Sequence, residues 1–440
     1  MRSCGMSSRW IAVALVTVLA APVLAQAETD MERAQREEIA ELKRQLAVVI
    51  GEVQQIKASV VVPETPELKS SYGLGPAASK VYSTPRGISL GGYAEAFYRN
   101  QIGDANGDGE DLSDFLRTVL YIGNKFSDKL LFNAEIEFEH ASTRSTGGGP
   151  GSVSVEFAAL DYLYKPELNF RAGILLVPMG FLNEIHEPPS YFGTERPEPE
   201  RLIIPSTWRE NGAGIFGTLG ESFSYRAYVV NGFDATRFTS AGVRGARQNG
   251  SESRSNDLAF VGRFDFEPMD GLQVGASLYQ GDSGQDRDLA GGLSFPDART
   301  TIWESHAQYR NGPLHFRALY TQALIDDARL VSLANSLASN NGVAERSVGG
   351  YAEIAYDIMQ WIRPGSEASL SPFFRFEYVD TQNDVPNGFT QNRLQTRRLF
   401  IPGIQYKPIP NVVLKVDYRN IDPLGGNAAD ELRFGIGLAF

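Results

Sequence analysis

The sequence predicts an all-β fold: a closed 16-stranded antiparallel transmembrane β-barrel, preceded by a short N-terminal coiled-coil helix. Three observations carry that prediction. From Gly87 onward, runs of about 10–13 residues alternate apolar and polar side chains, the period-two signature of strands with unlike faces. Their connections are alternately tight and long, as in barrels whose turns gather on one rim and whose loops gather on the other. The 440-residue chain is rich in glycine (44) and aromatic residues (11%), and 21% of it is charged.

Residues 1–27 read as a secretory signal. Arg2 and Arg9 precede the apolar run 10–24, and Ala25, Gln26 and Ala27 put small residues where a signal peptidase cuts. That run is shorter than the roughly 20 residues of a membrane helix, and nothing after residue 27 approaches such a length. The single cysteine, Cys4, precedes the apolar run, so a disulfide framework, thiolate metal site or thiol nucleophile is excluded beyond the signal. A net charge of −12 argues against a nucleic-acid partner, which needs a basic surface.

Residues 28–60 are expected as a periplasmic coiled coil. Ile39, Leu42, Leu46, Val49, Val53 and Ile56 fall at 3-4-3-4-3 spacing with charges between them. So short a helix is marginal alone, so it associates with copies of itself, a homotrimer by context, or else docks on its own domain. Pro63, Pro66, Gly73, Gly75 and Pro76 mark 61–86 as a linker.

The barrel is expected over 87–440. The strands are 87–98, 114–126, 130–142, 153–165, 168–178, 210–219, 223–234, 257–268, 271–282, 300–311, 314–325, 346–359, 370–382, 396–408, 412–422 and 430–440. In the third, Phe132, Ala134, Ile136 and Phe138 share one face, and Asn133, Glu135, Glu137 and Glu139 the other. In the fifteenth, Val412, Leu414, Val416 and Tyr418 oppose Val413, Lys415, Asp417 and Arg419. A soluble sandwich alternates in the same way. Strand length, tyrosines near strand ends such as Tyr121, Tyr162 and Tyr406, and the terminal Phe440 favour the membrane.

The last strand, with Phe434, Ile436, Leu438 and Phe440 in register, resembles the assembly signal of outer-membrane porins. The segment GILLVPMGFLNEIHEPPSYFGTERPEPERLIIPSTWRENGAGIFG (173–217) is similar to a stretch of the phosphate-selective porin O and P superfamily. The helical stalk is similar in layout to the DcaP-like porins. The resemblance implies a trimeric passive channel in the outer membrane of a Gram-negative-type bacterium, with a constriction loop folded inward. It also implies delivery to the barrel-assembly machinery through Phe440. The superfamily's lysine cluster is not matched: Lys125, Lys129, Lys165 and Lys407 fall at expected periplasmic turns, leaving Lys415. Phosphate selectivity is therefore not expected.

A pore selects by width and by the charges at its narrowest point, where low-dielectric walls strengthen the field. The expected constriction is loop 179–209, too long for an ordinary hairpin connection. Its prolines restrict the backbone, and Arg196, Arg201 and Arg209 alternate with Glu195 and Glu198, joined by Tyr191. Guanidinium groups grip carboxylate or phosphate through paired hydrogen bonds. In the alternative arrangement these arginines pin the loop to acidic wall residues. From the wall, Arg117, Arg317 and Arg375 are the chosen lumen cations, within a set of inward charges whose signs nearly cancel. Acids concentrate in the first and third strands, which makes either a transverse field or neighbour pairing.

The expected function is passive diffusion of small hydrophilic solutes, with an anion- or dicarboxylate-preferring channel as the alternative. An envelope tether and an outer-membrane enzyme are more distant rivals. No catalytic residue, cofactor or metal is expected: the four histidines accompany no Gly-x-Ser-x-Gly or His-Glu-x-x-His motif, and His186 stands alone between Glu184 and Glu187. Asp104, Asn106, Asp108 and Gly109 match the opening of a calcium loop, but Phe115 occupies its twelfth position.

Overall fold

The computed structural model describes residues 30–59, 68–103, 110–144 and 151–440. The expected signal 1–27 and the calcium-like loop 104–109 lie outside the described residues. The chain divides into two units, residues 1–59 and 60–440. In the first, helix α1 (Asp30–Ser59) covers the expected coiled-coil segment, and its seam residues Ile39, Leu42, Leu46 and Val49 are exposed. Arg44 pairs with Glu41 at 2.9 Å one turn away.

In the second unit the sixteen strands close into one ring. They are β1 (Gly87–Ile102), β2 (Leu112–Lys125), β3 (Leu130–Glu139), β4 (Val153–Lys165), β5 (Leu168–Leu176), β6 (Arg209–Leu219), β7 (Phe223–Asn231) and β8 (Leu258–Met269). There follow β9 (Leu272–Gly281), β10 (Thr300–Asn311), β11 (Leu314–Ile325), β12 (Arg346–Tyr356), β13 (Ser369–Asp384), β14 (Thr396–Ile409), β15 (Val412–Pro423) and β16 (Asp430–Ala439). Each is antiparallel to its sequence neighbour, and β16 returns to β1 from Tyr93↔Ala439 to Ile102↔Asp430. Phe440 extends the closure, its N–H donating to the Gly92 carbonyl at 2.9 Å and its own carbonyl accepting from the Gly92 N–H at 3.0 Å. Closure leaves no sheet edge, the condition a strand must meet in lipid, where water cannot satisfy backbone groups.

Burial decides what alternation alone left open. Along β15, Leu414 is exposed while Lys415, Asp417 and Arg419 are buried. Along β3, Phe138 is exposed while Glu135 and Glu137 are buried. The apolar face looks out and the ionic face looks in, the reverse of a soluble protein and the arrangement of a membrane barrel. On the rim of tight turns, only the β12–β13 connection is enlarged, by the short helix at Met359–Ile362, which leaves Trp361 exposed where an interfacial anchor sits.

The interior is fuller than a plain water-filled pore. Trp208 stacks on Phe233 at 4.6 Å, and both contact Tyr279, within an apolar cluster built by the long connections and the wall. Segment 68–86, expected as a linker, also folds as part of the barrel unit. It includes helix α2 (Lys80–Ser83), and Leu74, Ala77, Ala78 and Val81 are buried. Asn133 Nδ2 donates to the Ala78 carbonyl at 2.8 Å, and Tyr82 donates to Asp161 at 2.6 Å. Glycine permits the close approach: a Cβ at Gly123 would come within 2.6 Å of the Val81 side chain.

Candidate functional site

The loop between β5 and β6 runs over 177–208, so Arg209, expected within it, is the first residue of β6. Its base is tied by Asn183, whose Nδ2 donates to the carbonyls of Val177 (2.6 Å) and Trp208 (2.8 Å) while its Oδ1 accepts from the Trp208 N–H (2.6 Å). Beyond the base, Pro188–Ser190 makes one 3-10 turn and helix α3 (Glu198–Leu202) begins with Pro199 in its first turn. Fixed proline φ angles lower the entropy lost in holding this shape.

Wall side chains seize the loop on several sides. Arg375 donates to the carbonyls of Phe192 (3.0 Å) and Glu195 (2.9 Å) while pairing with Glu377 (2.7 Å) and Glu353 (3.2 Å). Asp417 accepts from the Thr194 N–H at 2.6 Å, and Glu377 from the Glu198 N–H at 2.6 Å. Tyr351 donates to Glu200 at 2.6 Å, and Arg317 donates to the Ser190 carbonyl at 3.3 Å with its guanidinium 4.7 Å from the Phe181 ring. Lys407, expected at a turn, lies in β14 and donates to the Pro189 carbonyl at 2.7 Å.

Arg117, on β2, bridges Glu95 (2.9 Å) and Glu137 (2.8 Å). Tyr191 donates to Glu95 at 3.1 Å and carries Lys415 over its ring at 3.6 Å. Glu195 pairs with Arg433, and Glu198 with Arg397, Arg419 and Arg201. Arg209 pairs with Glu156 at 2.6 Å. Wall charges therefore pair between neighbours: Arg171 with Asp161, Arg226 and Arg263 with Asp265, Arg433 with Glu431. Of the three expected loop cations, Arg201 is half-exposed beside Glu198, and Arg196 has an Nη2 without a hydrogen-bond partner among the described residues.

Burial alone would raise the pKa of Glu195, but Arg433, Arg419 and Arg201 outweigh it and hold the carboxyl at about 2. Burial pushes Glu187 up to about 8 against the pull of the Ala78 and Ala77 N–H groups that it accepts. Burial, then the charge of Arg196, pushes His186 down to about 3, so its ring is neutral at pH 7.

Two cations escaped the sequence reading. Arg244 donates to the Arg201 carbonyl at 2.9 Å, and Arg247 to the carbonyls of Thr207 (2.6 Å) and Pro205 (3.0 Å). Among the described residues, neither has a carboxylate within 4 Å. Burial and then neighbouring arginines push both guanidinium groups below their ordinary values. No local motif marks them; they lie in a different long connection that folds over this loop. On the opposite side, a cavity of about 1280 Å³ runs from the short turns at Pro313 and Pro410 to Phe181 and Tyr191 on the loop.

No family model matches the chain. An uncharacterized protein of Aquifex aeolicus (strain VF5) is 39% identical over 373 residues, 83% of this chain and 82% of the relative. The loop L8 deletion mutant of OmpT, an outer membrane protein of Vibrio cholerae, superposes with a TM-score of 0.51 at 12% identity, over 81% of this chain and all of that one. Salmonella typhi OmpF in complex with daunomycin gives 0.50 at 16% identity, over 81% of this chain and 98% of that one. At these identities the two barrels establish a shared fold.

Proposed function

We propose that this chain, which belongs to one family with the uncharacterized Aquifex aeolicus protein, is an outer-membrane porin for passive diffusion of small hydrophilic solutes. The observation that carries the reading is a closed ring of sixteen strands with exposed leucines and phenylalanines outside, buried ion pairs inside, and one loop drawn across the lumen. Lipid outside and charge within make a route for polar solutes. The finer parts of the reading are a homotrimer joined through α1, a periplasmic stalk, and kinship with the phosphate-selective porin O and P superfamily.

A preference for anions is favoured by Arg196, Arg201, Arg244 and Arg247, which crowd one side of the loop with Glu198 the only carboxylate within ion-pair reach of any of them among the described residues. Such a cluster concentrates anions and accepts carboxylates in pairs. Single-channel recording of the purified protein in planar bilayers under a salt gradient tests both parts. Discrete conductance steps with an anion-selective reversal potential are expected. A correctly folded barrel that never conducts would overturn the channel and leave the envelope tether; a cation-selective potential would overturn only the preference.

A further inference from the structure

Two strands and the inward loop meet at a buried spot that the ion-pair network leaves incomplete. Glu135 on β3, Glu156 on β4 and His186 on the loop are 0%, 1% and 2% exposed. His186 Nδ1 lies 3.1 Å from the Asn183 carbonyl oxygen. A carbonyl only accepts, so Nδ1 carries a proton and Nε2 is the ring nitrogen turned toward the two carboxylates. Nε2 lies 3.3 Å from Glu135 Oε1 and 3.6 Å from Glu156 Oε2. One imidazole nitrogen and two carboxylate oxygens, all able to bind a cation, thus converge on one point. Glu135 Oε2, Glu156 Oε2 and the hydroxyl of Tyr93, whose ring lies 6.0 Å from that of His186, have no hydrogen-bond partner among the described residues.

Arg196 lies near this spot but makes no ion pair with any of the three among the described residues, and two further neighbouring cations are engaged elsewhere. Arg209 holds the other oxygen of Glu156, Oε1, at 2.6 Å, and Arg117 holds Glu95 and Glu137. Among the described residues, Glu135 has no lysine or arginine within ion-pair reach.

We propose that Glu135, Glu156 and His186 bind one divalent transition-metal ion of the zinc class, which fastens the inward loop to β3 and β4. One imidazole nitrogen with two carboxylate oxygens is a donor set that zinc accepts, with a fourth position left for water. At bond lengths of about 2.0–2.1 Å, tetrahedral ligand atoms stand roughly 3.3–3.4 Å apart. The two contacts to His186 are 3.3 and 3.6 Å, and all three ligand atoms lie within 4.8 Å of one another. The Nδ1 contact to Asn183 is the outer hydrogen bond that orients a ligating ring. The inference stands apart from the channel reading, because its readout is bound metal.

The test folds the untagged chain into detergent with Zn²⁺ present, so that a closed site does not bar entry, and then removes free metal by gel filtration. Folding is checked by heat-modifiable electrophoretic mobility. One zinc per wild-type chain, lost in folded His186→Ala and Glu135→Gln, is the expected result. Co²⁺ in place of Zn²⁺ is expected to give the strong visible absorption of a four-coordinate site. A folded wild type without zinc, or folded variants that keep it, would overturn the proposal. Should neither variant fold, the cobalt spectrum decides: a weak octahedral spectrum refutes the site.

Discussion

Replacing Arg375 with Ala is expected to release the inward loop while the barrel stays closed. Arg375 is 1% exposed, pairs with Glu353 and Glu377, and donates to two loop carbonyls, Phe192 and Glu195. Removing it leaves two buried carboxylates uncompensated, a loss of ~3–5 kcal/mol. The hydrogen bonds from a charged donor are each worth ~1.5–3 kcal/mol, but they belong to the same side chain and do not add fully. A net loss of ~4 kcal/mol, at about 1.4 kcal/mol per decade, raises the undocked population of the loop roughly a hundred- to a thousandfold. The strand ladders through Glu353↔Arg375 and Arg375↔Ile401 use backbone groups and persist. Amide hydrogen exchange reads the change without requiring conduction. Residues 192–198 should exchange about a hundredfold faster or more, with β13 amides unchanged. Arg375→Lys, which keeps the charge but cannot fork to two carbonyls, should fall between. Unchanged loop exchange in a folded Arg375→Ala barrel would refute the idea that this residue holds the loop.

The loop cations should separate by their partners. Arg201→Ala, at a half-exposed side chain, shifts the reversal potential toward cations with little change in melting temperature, whereas Arg209→Ala strands the buried Glu156 and destabilises by ~3 kcal/mol in chemical unfolding. Glu195 makes the loop acid-sensitive. Its carboxyl falls from 4.5 to about 2 on folding, so its stabilisation is complete above pH 4.5 and is lost as pH falls through 2. Measured by thermal melts, the advantage of wild type over Glu195→Gln should therefore vanish across that window; Arg433, Arg419 and Arg201 are the charges that face it. On the outer face, Leu414→Arg puts a charge against lipid. It should cost ~2–4 kcal/mol near mid-membrane, read as lower folding yield in vesicles, while detergent-folded protein is less affected.

The barrel was legible because its signal is repeated. Sixteen runs each state the same period, and a shift of one residue would reverse every face, so errors at strand ends leave the architecture intact. Which face meets lipid was less legible, since Leu414 against Lys415 alternates identically in a sandwich. The linker expected over 61–86 rests on Gly73, Gly75 and Pro76, yet its described part, 68–86, packs within the barrel unit. Around them, Leu74, Ala77, Ala78 and Val81 are all buried, though only Val81 lies in the short helix α2. The surroundings of His186 were hidden for another reason. Its partners Glu135 and Glu156 lie 51 and 30 residues away in sequence, on strands that become neighbours of the loop only once the ring closes.

The same pairing governs what the lumen charges can do. An arginine fixed 2.8 Å from Asp161, or between Glu95 and Glu137, contributes a local dipole whose field fades within a few ångströms. Formal counts of inward charge therefore say little about selectivity. In the channel proposed above, the sign felt by a solute would be set by the residues that lack such a partner, and around this loop those are guanidinium groups from two separate connections, Arg196 on one and Arg244 and Arg247 on the other. Carbonyl contacts hold Arg244 and Arg247 in place without neutralising them. A loop docked mainly by backbone carbonyls and wall arginines can thus be rigid and still leave positive charge unspent, which is the combination that an anion filter requires.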